Sequence, residues 1–597
     1  MEKNKIKKSL AVFATTLIVV IVGVASFAYF GTFDVNLINN VAVNINSSSP
    51  GNATFISNAT QLNLQVPAAN MSFTVANNIV AAAENTAFLD VTLTGSSNLL
   101  TTCTYDIVYE YDAGSNVYGQ GTTTKTSGAT KEITIEVNGM NGNNHFATET
   151  NFDHANIQSY YDSTNKYYKL VEGATIKSLG TEQSVRWKIT GRYYNLDVSQ
   201  AQLGGKNFTG KIYAISKGCS SEDGTTVKKG YETILANNGG AASMTTLTST
   251  DFATATTAND KGMYKAQDDL GTSYYFRGAV DNNWLKYGKY TKDTYYTYDD
   301  DYNYNYSLVE SCNGLERCYK IASKGDDMYW RIIRVNGDNS IRMIYAGTYA
   351  PDNNTKVVMT NGNMDGDGNA IPMKIFAGNS KFNQNYDSAE YAGYMFTVGQ
   401  QHGTGTSSII KTYLEDWYAN YTNLNATGTK ITDQIYCNDR TASTSDTGTP
   451  GEISSWASTG TYYYYGPYLR LYGDSSNPAP SLICANANDR FTTTTAKGNG
   501  KLSYPVGLIT VDEVNMAGAD NKDSNNYSYY LYTGGDYWVG SPHVFHLGSS
   551  GGFIVNGSGY FNGSLARNAS GVRGVVSLSP DAKLLGSGTY DDVYVVS

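Results

Sequence analysis

Between about residues 33 and 220 the chain repeats one pattern. Short runs alternate apolar and polar residues (AFLDVTLTG, CTYDIVYEYD, KEITIEV, SVRWKITGRYY, GKIYAIS), and Gly, Asn and Ser separate one run from the next. Successive side chains of a strand point to opposite faces, so a period of two buries one face and wets the other, whereas an amphipathic helix needs a period of 3.6. Runs this short and this often punctuated predict one or two β-sandwiches of immunoglobulin-like type. The residue supply agrees: 50 Tyr and 60 Gly with only 16% charged residues favour pleated, half-buried surfaces and many turns.

At 597 residues the chain exceeds what one hydrophobic core supports, and a mainly β, multidomain protein is expected. Lys3, Lys5, Lys7 and Lys8 precede an uncharged apolar run from Leu10 to Phe30, about the 20 residues that cross a bilayer as a helix. The positive-inside rule then leaves a cytoplasmic stub and places everything beyond Phe30 outside, as a single-pass protein of the cell membrane. The competing reading is a cleaved signal peptide, with small residues at Ser26 and Ala28; the apolar run is longer than a usual signal-peptide core, which favours a retained anchor. The net charge of −10, with basic residues scattered, argues against a nucleic-acid partner.

Export decides what the cysteines do. Six of them, at 103, 219, 312, 318, 437 and 484, suit structural disulfides in an oxidising compartment. Order along the chain suggests Cys103 with Cys219, Cys312 with Cys318 and Cys437 with Cys484, although sequence does not fix connectivity.

The expected organisation is a stub and anchor over 1–32, a β-sandwich stalk over 33–220, a linker over 221–270 and a ligand-binding domain over 271–597. The linker is rich in Thr, Ala, Gly, Asn and Asp and has little periodicity. Beyond it, YYFRGAVDNNWLKYG (274–288) is followed by a Tyr- and Asp-rich interruption, then by YWRIIRVNGDNSIRMIYAG (329–347). The latter predicts a hairpin with a tight primed turn at Asn336-Gly337. TSSIIKTYLEDWYANY predicts a helix with Ile409, Tyr413, Leu414 and Trp417 on one side. SYPVGLITVDEVNMAG (503–518) reads as a short strand entering a helix. From Trp538 to Val572 almost no regular period remains, and strand pattern returns only in VRGVVSL and DVYVV.

This second half, through YYFRGAV, YWRIIRVNGD, IYCNDR, YPVGLITVDEV, DYWVGSP and GVRGVVSLSPDAKLLGSGTYDDVYVV, resembles anchored surface proteins of gut-dwelling Gram-positive bacteria and their mollicute-like relatives. The tail over 538–578 resembles the variable proteins diversified by retroelements. In those, an α+β C-type-lectin-like domain, related to formylglycine-generating enzymes, ends in W-x-x-S-P, a run of variable residues and a G-V-R-P-V-V-S-L closing strand. The resemblance implies that fold and a ligand surface over 543–570. Gly574 stands where the pattern has Pro, and Val539-Gly540 is an unusual filling between Trp538 and Ser541.

Read as residues alone, the tail offers His543, Phe545, His546, Ser549, Phe553, Asn556, Ser558, Tyr560, Asn562, Ser564, Arg567, Asn568 and Ser570 as ligand contacts. Aromatic rings supply rigid contact area while Asn, Ser and Gly supply adaptable hydrogen bonds, the mixture that antibody combining sites use. The competing reading is a Gly- and Ser-rich surface loop that binds nothing.

Catalytic patterns are sparse. The five His (145, 154, 402, 543, 546) accompany no G-x-S-x-G turn, and a site built on Cys437 with His402 is disfavoured against a structural role. The last cysteine is Cys484, which leaves no late reactive pair of the formylglycine-generating kind. His543 and His546 without further ligands make an incomplete metal site. NGNMDGDGNAIP (361–372) begins like a calcium loop at Asn361, Asn363 and Asp365, but has Pro372 where the bidentate Glu belongs. Asp512 and Glu513 suit a helix cap. No cofactor or metal is expected. The reading is an anchored adhesin or receptor-type protein without catalysis, whose partner is a protein or glycan on a host cell, another microbe or a phage. The alternatives are a structural pilus- or coat-like protein and a glycan-acting surface enzyme.

Overall fold

The computed structural model describes residues 41–46, 52–65, 81–95, 99–111, the strand segments within 126–194, 207–223, 227–298, 306–315, 317–348, 351, 375–473, 475–521 and 525–597. The anchor expected over Leu10–Phe30 and the calcium-like loop 361–372 lie outside these residues. The chain is mainly β and divides near residue 224 into two compact units.

The first unit consists chiefly of two antiparallel sheets, plus a small strand pair. One runs in the order Val41–Asn46, Asn52–Ser57, Ala81–Thr94, Glu182–Tyr194, Ile133–Asn138, Thr150–Asn151. The other runs Tyr161–Asp162, Tyr167–Ser178, Leu99–Tyr111, Asn207–Asp223, Thr60–Gln65. Alternation does what the pattern dictates: Ala87, Leu89, Val91 and Leu93 are buried while Phe88, Asp90 and Thr92 between them are not. The two inner faces meet where Trp187 Nε1 donates to Tyr105 Oη at 3.0 Å, giving a fully buried indole its polar partner. Cys103 and Cys219 face each other on paired strands and are joined as expected.

In the second unit the segment read as a linker is folded. Gly230–Asn237 is helical and buries Ile234, and its Gly230 amide donates to Ala582 O at 2.7 Å. Phe252 and Met263 are buried too, and Lys261–Asp268 is the first strand of an eight-stranded sheet. The apolar anchors Ile234, Met244, Phe252 and Met263 are too far apart to show a period, so composition concealed the structure. That sheet runs Lys261–Asp268, Gly271–Gly278, Asp327–Val335, Trp284–Lys289, Tyr594–Val596, Leu584–Leu585. Ile341–Tyr345 pairs with Asp327–Val335 and with the closing strand Val575–Leu578.

The hairpin 327–345 forms, but without a two-residue turn. Its loop spans Asn336 to Ser340, closed by the Asn336 amide donating to Ser340 O at 2.8 Å, with Asn339 left-handed at φ 66°. Gly337 is spent on a close approach instead: its amide donates to Asp268 Oδ2 at 2.9 Å, and a Cβ there would strike Gly271 and Asp268. Both strands are buried on both faces, so Arg334 and Arg342 need internal partners. Glu513 supplies them, at 3.0 Å to Arg334 Nε and 2.7 Å to Arg342 Nε, and Asp268 adds a 2.6 Å contact to Arg334.

Glu513 is also the third residue of helix Val511–Ala517, capping the Thr510 amide while Thr510 caps its own. The stretch before this helix is extended but joins the sheet only by a bridge between Gly507 and Val575. Helix Ile409–Asp416 forms as expected, with Ile410 rather than Ile409 on the buried side. It continues into a wider turn, Trp417–Tyr421. Trp417 accounts for Gly574: a Cβ at 574 would collide with the indole ring.

Candidate ligand-binding surface

The tail is not irregular. Tyr537–His546, Ser549–Val555, Phe561–Leu565 and Ala569–Gly571 are strands of a seven-stranded sheet that also takes in Asn379–Lys381, Tyr463–Tyr465 and Ala442–Ser443. Register slips between Trp538 and Pro542 and again between Pro542 and Phe545 break the alternation, which is why the sequence shows no period. The tight primed turn is here, at Leu547-Gly548, where φ is 52° and 71°. Leu547 is 75% exposed despite a backbone shape that branched and bulky residues avoid.

The expected contact residues are therefore divided among separate environments. Phe545 lies in a small core with Ala389, Ala442, Tyr463 and Tyr465 and does not reach the surface. Phe553 is fully buried; with Tyr468 and Tyr472 it encloses His543 edge-on at ring distances of 4.6, 5.2 and 5.7 Å. Burial pushes the His543 imidazole down to about 4, so it is neutral at ordinary pH. Asn556 closes a turn, its Oδ1 accepting from the amides of Ser558 and Tyr560. Tyr560 and Ser549 are half-buried, Ser549 directly after the primed turn. His546 is exposed and stacks on Tyr462 at 4.3 Å, and Asn562 is exposed on the opposite face of the hairpin from Phe553.

Ser564, Arg567, Asn568 and Ser570 converge. They form one side of a groove of about 640 Å³ with Asn379, Lys381 and Asp536, a size within the range of ligand sites. Asn568 Nδ2 donates to Ser564 Oγ at 3.2 Å, and the Arg567 guanidinium lies 4.1 Å from the centre of the Tyr386 ring. The other side is one face of a three-stranded sheet, Tyr306–Val309, Thr294–Tyr298, Cys318–Ala322. Register places Tyr298 beside Tyr306 and Tyr296 beside Tyr319, with ring centres 5.2 and 5.1 Å apart. Arg317 lies over Tyr298 at 5.2 Å, and the Cys312–Cys318 disulfide ties the connection between the outer strands. The sequence treated these tyrosines as an interruption. The signal it held was Tyr at alternate positions, 296 and 298, next to a cysteine-bracketed turn.

The other candidates are committed elsewhere. Cys437 is bonded to Cys484, so it offers no thiolate, and among the described residues no cysteine is free. His402 sits between Asp489, 2.8 Å from Nδ1, and Glu452, 3.2 Å from Nε2, while Asp489 also binds Arg440. Asp512 receives two hydrogen bonds from Arg470, at 2.9 and 3.0 Å. The cavity beside Asp512 and Glu513 measures about 30 Å³, room for about one water and no substrate. Among the described residues no group of His, Cys, Asp and Glu is placed to hold a metal ion.

The second unit is thus a disulfide-bonded, mainly β body carrying an aromatic and amide-lined groove. Compared with known proteins, the chain matches no family model, no curated protein and no solved structure.

Proposed function

We propose that the chain is a surface-anchored adhesin or receptor-type protein, with an immunoglobulin-like stalk and a C-type-lectin-like second unit whose tail is open to diversification. The observation that carries this reading is the convergence of Ser564, Arg567, Asn568 and Ser570 on one groove. The segments that carry the family resemblance support it from another side. YYFRGAV, YWRIIRVNGD, GVRGVVSL and DVYVV all contribute strands to the eight-stranded sheet, as one domain requires. Binding is favoured over glycan hydrolysis because Asp536 is the one carboxylate among the described lining residues, and hydrolysis uses two.

Sequencing codons 538–578 across the cells of one population tests the diversified surface. Changes should gather at adenines in the codons of His546, Asn562, Ser564, Arg567 and Asn568, and spare Trp538, Phe545, Phe553, Gly571 and Val572. An invariant stretch would remove diversification and leave a fixed adhesin to be weighed against a structural coat.

A further inference from the structure

Resting on that reading, we propose that the groove takes a carbohydrate chain, with the tyrosine sheet as the stacking platform and the tail as the hydrogen-bonding rim. The rings of Tyr296, Tyr298, Tyr306 and Tyr319 come from adjacent strands of a single sheet face. The planes of Tyr296 and Tyr298 stay within 30° of each other and of Tyr306 and Tyr319 on the flanking strands, with centres 5.1 to 6.5 Å apart. Tyr298, Tyr306 and Tyr319 are half-buried, so each keeps part of its ring at the surface. Such tiled, electron-rich ring faces attract the weakly positive C–H face of a pyranose, and a row of them suits successive sugars better than one flat ligand.

The opposite wall supplies the other half of sugar recognition. Amides at Asn379 and Asn568 and hydroxyls at Ser564 and Ser570 both donate and accept, and the carboxylate of Asp536 accepts, which is what a ligand covered in hydroxyls demands. An apolar ligand would leave these groups unpaired on burial, with a penalty for each. The platform is also held in place before binding. The Cys312–Cys318 bond ties the loop between two of its strands, and Arg317 Nη1 donates to Tyr298 Oη at 3.4 Å. A pre-ordered wall loses little side-chain freedom on binding.

The test is an array of galactomannan, arabinoxylan, gastric mucin glycans and bacterial capsular polysaccharide, probed with the full chain in detergent. Purified fibronectin, collagen and laminin are printed beside them. Wild-type chain should be retained on at least one glycan. Tyr298→Ala and Tyr306→Ala should each weaken retention about tenfold or more, and Tyr306→Phe should keep most of it. Asn568→Ala, on an exposed side chain whose loss leaves the fold intact, should weaken it too, whereas Tyr462→Ala should not. Glycan retention that survives both Tyr298→Ala and Asn568→Ala overturns the groove as the site and leaves the binding reading standing. Retention on the matrix proteins alone overturns the carbohydrate occupant and not the binding reading. Retention on neither overturns both.

Discussion

Glu513 is held by two arginines and a helix N-terminus at once; both ion pairs are buried, and the bond from the Thr510 amide is partly so. Burial by itself would raise its carboxyl, but Arg342 and Arg334 outweigh that and hold it below the ordinary 4.5. Glu513→Gln strips the charge that balances both guanidinium groups, and should destabilise the second unit by about 3–5 kcal/mol in denaturant unfolding. The sign with pH follows: a lowered carboxyl contributes its stability above about pH 4.5 and loses it as pH falls through the folded value. The variant should therefore show a shallower acid slope than the wild type. His543 acts in the neighbouring window. Its imidazole, pushed down to about 4, stays neutral in the fold while the unfolded chain takes up a proton near 6.5. Its contribution is complete above pH 6.5 and declines between there and about 4, so thermal melts of His543→Leu should lose that part of the pH dependence.

At the scale of the element, the tail strands depend on glycine where rings pass. The His543 ring occupies the space a Cβ on Gly563 would need, so Gly563→Ala should destabilise by about 1–3 kcal/mol. Adding His543→Ala should recover part of the loss, and a double-mutant cycle of unfolding free energies measures that coupling. The same strands show where sequence reading stops. Strands such as Ala81–Thr94 were legible because Leu89, Val91 and Leu93 all face one way. Hairpin 327–345 was legible as two runs, but Asn336-Gly337 answered to Asp268 rather than to turn geometry. In Tyr537–His546 the bulges turn His543 and Phe545 into different surroundings although they stand two residues apart. Of the polar tail residues, His546, Asn562, Arg567 and Asn568 are exposed, whereas Phe545 and Phe553 of the same sheet are buried. The tyrosine wall was hidden because its strands meet the tail only across more than 200 residues of sequence, a distance that no local pattern spans.

For the whole molecule, the boundary near residue 224 separates two hydrophobic cores, each with its own disulfides: Cys103–Cys219 in the first, Cys312–Cys318 and Cys437–Cys484 in the second. Two cores of this kind unfold as two cooperative events. Calorimetry of the full chain should resolve two transitions, and residues 225–597 expressed alone should reproduce one of them at the same temperature. The division near residue 224 was visible in the change of sequence style. The expected linker was not a spacer, because Ile234, Phe252 and Met263 bind it to the second core.

The arrangement of the last strands carries one more consequence. Val575–Leu578 pairs with Ile341–Tyr345, and Tyr594–Val596 lies between Trp284–Lys289 and Leu584–Leu585. Both strands follow the tail in the chain, yet both belong to the main sheet, Tyr594–Val596 with a strand on either side and Val575–Leu578 along Ile341–Tyr345. A single-base insertion or deletion anywhere in codons 543–570 would rewrite them together, leaving Ile341–Tyr345 and Trp284–Lys289 without these partners. Base substitutions in the tail leave those strands untouched. The fold therefore works as a reading-frame check: a gene whose tail has been altered by exchange can still yield a folded second unit, and one whose tail has slipped cannot.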